Sequence, residues 1–184
     1  MIFNMSLQLG ELPPVWKTAA VIPVFKKGSP SNHANYKPTS LTCIACKLLE
    51  SAIKEHLMRY LLEKKIINPH QHGFLSRKST TTQLLECNLD WNVALNSRKH
   101  LDIIYLDYAK AFDSVVHVKL LAKLSCYGLC DQLIISIKNF LIGRTQYVKI
   151  DEFCSSLGTV ISGVPQGSVL GPVLFIFTPR ALRS

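Results

Sequence analysis

The first quarter of the chain carries an apolar pattern that predicts two short strands joined by a polar turn. Residues 15–25 are rich in β-branched and aromatic side chains, and Pro23 within them predicts an edge position or a bulge. Residues 36–41 predict the second extended piece, since a residue that precedes a proline is disfavoured in a helix. The turn between them holds Lys26 and Lys27, which are either solvated surface residues or part of a binding element.

An amphipathic helix is predicted over residues 48–62, where apolar side chains recur on one face. Glu50 precedes Lys54 on this helix, and Glu55 precedes Arg59, with a spacing of four positions in each case. Side chains at this spacing are neighbours on a helix surface. We therefore expect two exposed ion pairs on its polar face.

Three further helices are predicted between residues 79 and 141. Leu85, Leu89 and Val93 form the apolar face of a helix that begins in a Ser-Thr-rich segment. Residues 116–124 and 131–141 show the same spacing, and a glycine after each of them favours the end of the helix.

The last third of the chain predicts a hairpin and a glycine-rich loop. Asp131 is the expected N-cap of the preceding helix, and residues 146–150 and 159–161 predict two strands around a polar turn. Residues 163–172 then begin with Gly-Val-Pro-Gln-Gly and lead into an apolar helix. Because glycine has no Cβ, such a loop permits backbone amides to approach a ligand closely.

Residues 103–115 combine an apolar, β-prone run with acidic residues placed after it. The run predicts a buried strand that ends on Asp107, followed by a turn that presents Phe112 and Asp113. A carboxylate at the end of a buried strand needs a charged partner, and a metal ion would be one. The alternative is that Asp107 caps the next helix, so this stretch alone leaves both interpretations open. Asp113 is interpreted as a cap or a structural acid.

The charge balance favours a polyanionic partner. Lysine and arginine number 21 against 12 acidic residues, and nucleic acid is the first partner indicated by the resulting net charge of +9. A hydrophobic content of 48% predicts a folded protein rather than disorder. The sequence shows neither a secretory signal nor an apolar run of about 18 residues, so we expect an intracellular protein, nuclear or cytoplasmic, without a membrane partner.

Two groups of potential metal ligands have a simpler interpretation. The six cysteines are expected to be small buried residues in a reducing compartment, since pairs such as Cys126 and Cys130 lie in apolar, helix-prone stretches. His70 and His72 have no acid or cysteine beside them in the sequence. This favours a surface turn over a metal site.

Five motifs follow one another along the chain. They are the lysine turn, Asn-Tyr-Lys-Pro at residues 35–38, Gln-His-Gly-Phe at residues 71–74, the Asp107 run with Ala-Phe-Asp, and the Pro-Gln-Gly loop. Together they resemble the reverse transcriptase domain of non-LTR (LINE-type) retrotransposons. The resemblance extends from about residue 12 to residue 175 and implies an α+β right-hand polymerase. Residues 1–100 would then supply the fingers with the first elements of the palm, and residues 101–184 a partial palm, as one compact unit.

The resemblance also implies roles for individual residues. Asp107 would be the catalytic aspartate that binds the first metal ion, with Mg2+ or Mn2+ as the cofactor. Phe112 would pack under the sugar of the incoming nucleotide and exclude a 2'-hydroxyl group. Gln166 would lie beside this nucleotide, with Gly167 as the neighbour that permits close approach. The implied partners are an RNA template, a DNA primer and deoxynucleoside triphosphates.

The lysines of the first hairpin take their implied roles from the same resemblance. Lys26 and Lys27 would meet the triphosphate, and Lys37 stands where the family commonly has an arginine. Lysine acts as a point charge, whereas arginine adds planar stacking and bidentate hydrogen bonds. The substitution therefore predicts weaker nucleotide binding.

One part of the family pattern is missing from the sequence. The family continues into a strand-turn-strand that carries aromatic-Ala-Asp-Asp, whereas no aspartate follows Asp151 here and the only later acid is Glu152. One carboxylate does not hold two divalent cations. We therefore expect a fragment of an RNA-directed DNA polymerase, with an incomplete palm sheet, that is inactive by itself. The alternative is a non-catalytic nucleic-acid-binding or interaction protein derived from a retrotransposon.

Overall fold

The computed structural model describes residues 2–178, and these divide into two compact units. The residues up to Tyr60 and from Lys110 onwards form the first, here called the sheet unit. Leu61–Ala109 form the second, here called the inserted unit because its sequence interrupts the first. The mixed helix and strand content agrees with the predicted α+β class, while the division into fingers and palm at residue 100 stays a prediction.

The sheet unit contains a mixed five-stranded sheet. Its strands are β1 (Thr18–Phe25), β2 (Tyr36–Leu41), β3 (Arg144–Ile150), β4 (Phe153–Cys154) and β5 (Gly158–Val160). The order is β2-β1-β3-β4, with β5 also paired to β3. The β1–β3 pairing is parallel and the others are antiparallel, so the long connection that parallel neighbours require lies between β1 and β3.

The β1–β2 hairpin confirms the two strands predicted in the first quarter of the chain. Pro23 of β1 lies opposite Pro38 of β2. The parallel ladder between β1 and β3 ends at Val21, so Pro23 faces no strand on that side. Because proline removes a ladder donor, this position leaves no interstrand bond unmade. The edge position predicted for Pro23 is therefore confirmed locally, although β1 lies inside the sheet.

The described residues form six α-helices. They are α1 (Ile2–Leu9), α2 (Ile44–Glu63), α3 (Thr80–Asn96), α4 (His117–Cys126), α5 (Asp131–Leu141) and α6 (Gly171–Ile176). The helices predicted over residues 48–62, 116–124 and 131–141 are confirmed. Within residues 2–178, none of these helices has the length and apolar character needed to cross a membrane.

Helices α4 and α5 supply much of the buried apolar surface of the sheet unit. Their buried side chains include Leu120, Leu124, Ile137, Phe140 and Leu141. These residues recur at helical spacing within each helix, so the apolar periodicity of this region predicted the buried faces correctly.

The turn between α4 and α5 corrects two predictions. The N-cap of α5 is Cys130, and Asp131 lies in the first helical turn. A negative charge there still stabilises the helix through its interaction with the helix dipole. Cys126 and Cys130 are both exposed. Of the six cysteines only Cys46 is buried, so the expectation of buried cysteines is wrong for most of them.

The inserted unit contains α3, whose start was predicted correctly. Ser79 is the N-cap, and its side chain accepts a hydrogen bond from the Thr82 amide at 3.2 Å within a capping box. The apolar face formed by Leu85, Leu89 and Val93 is exposed, with Leu89 65% open to solvent. The apolar periodicity therefore predicted the helix correctly, but the apolar face that it defines is not buried in this structure.

Residues 101–108 do not form the strand that the sequence predicted. The segment has no regular structure, and Ile104 and Tyr105 are 81% and 80% exposed. A strand is stable only when its backbone N–H and C=O groups have partners on a neighbouring strand. Because this run makes no such ladder, the prediction of a buried strand that ends on Asp107 is wrong for this structure.

Candidate functional site

Two loops of the sheet unit meet to form the candidate site. The Val164 amide donates to the Phe112 carbonyl at 2.9 Å, and the Gly163 amide donates to the Val115 carbonyl at the same distance. Gly163 has a φ of +88°, and a Cβ atom there would lie 2.8 Å from the Asp113 Cα. Glycine is thus required for the two backbones to approach this closely.

A side-chain hydrogen bond joins the same two loops. Nε2 of Gln166 donates to Oδ1 of Asp113 at 3.0 Å. An ionised carboxylate only accepts hydrogen bonds, so the amide nitrogen of Gln166 must face it. One N–H and the carbonyl oxygen of this amide remain for other contacts. Asp113, interpreted from the sequence as a structural acid, therefore orients the glutamine that the resemblance places beside a nucleotide.

The Pro-Gln-Gly loop also binds directly to β2. The Ser40 amide donates to the Gln166 carbonyl at 2.7 Å. Gly167 has a φ of +108°, and a Cβ atom at this position would lie 2.6 Å from the Ser40 carbonyl oxygen. The close approach that Gly167 permits in this structure is to the backbone of β2, and its predicted contact with a nucleotide stays a prediction.

A cavity of about 290 Å³ adjoins these loops within the sheet unit. Its polar lining includes Ser40, Asp113, Gln146, Thr159, Ser162 and Gln166. The volume is close to the lower limit of small-molecule sites, which begin at about 300 Å³. The cavity thus has the size and the hydrogen-bonding groups to hold a compact polar ligand.

The β1–β2 hairpin presents the three predicted lysines to solvent. Lys26, Lys27 and Lys37 are all exposed. The Lys26 amide donates to the Asn35 carbonyl at 2.8 Å, which closes the turn. Because β2 carries both Lys37 and Ser40, the strand that exposes a lysine also holds the Gln166 loop. The structure therefore connects the basic hairpin to the cavity through one strand.

Phe112 is held by an aromatic partner from α6. The rings of Phe112 and Phe175 are stacked, with centroids 4.6 Å apart and an interplanar angle of 13°. Phe112 is half-buried. The pair links the turn that contains Phe112 to the helix that follows the Pro-Gln-Gly loop.

Asp107 lies in the inserted unit and is exposed. Within residues 2–178, no group of three or more histidine, cysteine, aspartate or glutamate side chains is close enough to hold a metal ion. Divalent magnesium and manganese need several oxygen ligands. The donor set of the described residues therefore does not fit the site implied by the resemblance, and the metal role of Asp107 stays a prediction.

Glu50 is a buried residue of α2 that was predicted to lie on the surface. It is only 2% exposed, and its Oε2 accepts hydrogen bonds from the amides of Val169 and Leu170 at 2.7 and 2.9 Å. The predicted surface pairing with Lys54 is therefore wrong, whereas Glu55 and Arg59 do pair at 3.2 Å. The available signal was spacing, because Glu50 shares a helix face with the buried residues Cys46 and Leu57.

Two ionisable groups near Glu50 are also buried. Burial, followed by the carboxylate of Glu50, raises the pKa of the Cys46 thiol to about 12. Arg144 is 2% exposed, and burial lowers the pKa of its guanidinium, which donates to the Phe140 carbonyl at 3.1 Å. The negative charge of Glu50 favours the charged form of Arg144. Among the described residues, Glu50 Oε1 and Arg144 Nη2 have no hydrogen-bond partner.

The histidines of the inserted unit have an acidic partner that local sequence did not reveal. Nε2 of His72 lies 2.6 Å from Glu86 Oε2, and His70 Nδ1 contacts the other oxygen of the same carboxylate. His72 Nδ1 lies 2.8 Å from the Thr82 hydroxyl. The hydrogen bonds from His72 and then His70 lower the pKa of Glu86. His72 is buried, so its assignment to a surface turn is wrong.

Comparison with known proteins shows the family to which this chain is similar. Residues 24–182 match the family described as reverse transcriptase (RNA-dependent DNA polymerase). The chain is 36% identical over 176 residues to the RNA-directed DNA polymerase from mobile element jockey of Drosophila melanogaster, an alignment that covers 95% of this chain and 19% of that protein. It is 31% identical over 186 residues to the probable RNA-directed DNA polymerase from transposon BS of the same species, covering 97% and 20%.

A more distant relative extends the similarity to the whole chain. The Pol polyprotein from the type-2 retrotransposable element R2DM of Drosophila melanogaster is 27% identical over 189 residues, an alignment that covers all of this chain and 17% of that protein. The chain therefore spans about a fifth of the length of the curated relatives that it matches.

Proposed function

Because this chain belongs to the reverse transcriptase family, we propose that its sheet unit contacts the nucleotide and nucleic acid of an RNA-directed DNA polymerase. The predicted membership of the reverse transcriptases of non-LTR retrotransposons is confirmed by the matches. The RNA template, the DNA primer, the deoxynucleoside triphosphate and the metal cofactor are part of the proposal, since the matched relatives are much longer proteins.

The observation that carries this proposal is the hydrogen bond between Gln166 and Asp113. It holds the Gln166 amide in one orientation at the edge of the cavity, at a distance of 3.0 Å from the carboxylate. A side chain that is already oriented loses less conformational entropy when it binds a ligand. The remaining N–H and carbonyl oxygen of Gln166 are suited to a sugar hydroxyl or a base edge.

The exposed lysines supply the charge that such a ligand requires. We propose that Lys26 and Lys27 bind phosphate groups, and that Lys37 adds a third positive charge on β2. Lysine ammonium groups bind phosphates as point charges. Lys37 cannot offer the bidentate geometry of an arginine, so its contribution to affinity is smaller than in relatives with arginine there.

We further propose that this 184-residue chain does not incorporate nucleotides by itself. Nucleotidyl transfer by the two-metal route needs several carboxylate ligands, which the described residues do not bring together. The alternative of a non-catalytic binding protein is not favoured, because the matched relatives named above are described as polymerases or as a Pol polyprotein. Binding without incorporation is thus the expected behaviour of this part of a polymerase.

The test uses the purified chain, a DNA primer annealed to an RNA template, and deoxynucleoside triphosphates with Mg2+ or Mn2+. We expect salt-dependent binding of the primer-template in fluorescence anisotropy and no primer extension. Gln166→Ala should weaken nucleotide binding by about fivefold or more, since a lost hydrogen bond contributes roughly 1 kcal/mol or more. Gln83→Ala, which removes an exposed glutamine from α3, is the matched control.

Two results would contradict the proposal. Failure of the wild-type chain to bind the primer-template or the nucleotide would contradict the proposed contacts. Primer extension that disappears in Asp107→Ala would show that the chain is a complete polymerase and that its inactivity was wrongly proposed.

A further inference from the structure

We propose that Glu50 of α2 is a positioning residue, which holds the residues just after the Pro-Gln-Gly loop and thereby sets the position of Gln166. Its Oε2 accepts both the Val169 amide at 2.7 Å and the Leu170 amide at 2.9 Å. Both amides belong to the residues just after the loop. The consequence for nucleotide binding rests on the function proposed above, but the position of the loop does not.

The loop is held at three places along its length. Its start is bonded to the Phe112 and Val115 carbonyls, and its middle is bonded to Ser40 of β2. Its end is bonded to Glu50 of α2. Because the Gln166 carbonyl itself makes the second attachment, loss of the third frees the chain on the C-terminal side of Gln166.

The second and third attachments come from one short stretch of sequence. Ser40 lies near the end of β2, and α2 begins at Ile44, so only a brief turn separates the strand from the helix that carries Glu50. The strand also carries Lys37. Glu50 and Ser40 therefore hold the loop at a fixed position relative to β2. Because β2 also carries Lys37, the position of Gln166 is fixed relative to the β1–β2 hairpin.

Burial makes the arrangement sensitive to the length of the side chain. Glu50 is 2% exposed, so water cannot replace a lost hydrogen bond to its carboxylate without a rearrangement. Hydrogen bonds from backbone amides to a carboxylate are stronger than those to a neutral acceptor. Removing one methylene withdraws the carboxylate from both amides while the negative charge near Arg144 is retained.

Two variants distinguish the effect of side-chain length at Glu50 from the effect of its negative charge. Glu50→Asp keeps the negative charge, but its shorter side chain no longer extends to the Val169 and Leu170 amides. Glu50→Gln keeps an oxygen at the same distance and removes the charge. Amide hydrogen exchange measured by NMR should accelerate at Val169 and Leu170 by about tenfold or more in Glu50→Asp, and by less in Glu50→Gln. The resonances of the Gln166 side-chain amide should shift in Glu50→Asp and be largely restored in Glu50→Gln.

The matched control is Glu55→Asp, which shortens another glutamate of α2 whose side chain is 73% exposed. It should change neither the exchange rates nor the Gln166 resonances. Acceleration in Glu50→Asp that is equally large at Leu120 and Leu124 of α4 would indicate general destabilisation and overturn the proposal. An unchanged Gln166 resonance would do so as well, and so would a larger effect of Glu50→Gln, since charge compensation would then be the role of Glu50.

A second measurement distinguishes this inference from the proposed function. Primer-template and nucleotide affinities are compared between Glu50→Asp and the wild-type chain, and a several-fold loss of nucleotide affinity is expected. If the wild-type chain binds no nucleotide, the proposed function fails, while the exchange data still decide whether Glu50 positions the loop.

Discussion

Gln166 donates a hydrogen bond to Asp113 over 3.0 Å, although 53 residues separate them in the sequence. The bond joins the turn that follows Asp107 in the chain to the Pro-Gln-Gly loop. Each motif was recognisable separately, but the pairing assigns Asp113 the specific task of orienting an amide.

Asp113→Ala should free the Gln166 side chain without unfolding the sheet unit. Asp113 is exposed, so the expected loss is small, about 1 kcal/mol in the free energy of unfolding measured by urea titration. The Gln166 side-chain amide resonances should move towards those of an unrestrained glutamine. Glu152→Ala, which removes another exposed carboxylate of the sheet unit, should leave these resonances unchanged.

Gly167→Ala should destabilise the sheet unit more strongly. The new Cβ would lie 2.6 Å from the Ser40 carbonyl oxygen, and the φ of +108° is unfavourable for any residue with a side chain. Strain of this kind costs roughly 1 to 3 kcal/mol, measurable as a lower urea midpoint. Gly158→Ala is the control, because its Cβ would meet nothing closer than 3.8 Å. Equal destabilisation by the two variants would refute the assigned contact.

The exposed lysines of the first hairpin should dominate the salt dependence of nucleic-acid binding. Replacing both Lys26 and Lys27 with alanine should reduce the slope of log K against log salt by roughly 1.5, if each lysine neutralises one phosphate. Fluorescence anisotropy at several salt concentrations gives the slope. Lys119→Ala removes an exposed lysine from α4 and should leave it unchanged. A slope that the double variant does not alter would exclude the hairpin as the phosphate-binding element.

The inserted unit should lose stability in acid through Glu86. Hydrogen bonds from His72 and His70 lower the pKa of this carboxyl below its ordinary value of 4.5. A carboxyl whose pKa is lower in the folded state stabilises that state above its unfolded pKa, and this contribution is lost as the pH falls through the folded pKa. The protection factors of the α3 amides against hydrogen exchange should therefore fall as the pH drops below about 4.5.

Glu86→Gln tests the origin of that pH dependence. The variant should be less stable at neutral pH and should lose the part of the acid sensitivity that comes from this carboxyl. Asp90→Asn, on the same helix, should retain the wild-type profile. An unchanged profile in Glu86→Gln would assign the acid sensitivity to other groups.

Local patterns in the sequence were sufficient for much of the fold. The spacing of Leu120 and Leu124 predicted α4, and the proline-containing segments before and after the lysine turn predicted the β1–β2 hairpin. These elements form from interactions between residues close in sequence, which a periodicity or a turn signal reflects directly. The order of the five motifs was likewise enough to identify the family.

The tertiary structure alone decided the roles that depend on distant partners. Glu50 looked like a surface residue because Lys54 lies one turn away, whereas its actual partners, Val169 and Leu170, are 119 and 120 residues distant. Residues 101–108 looked like a buried strand because their composition favours one, but a strand also needs a neighbour for its backbone hydrogen bonds. A sequence pattern indicates the structure that a segment prefers. Whether the segment has the hydrogen-bond partners that this structure needs depends on the tertiary fold.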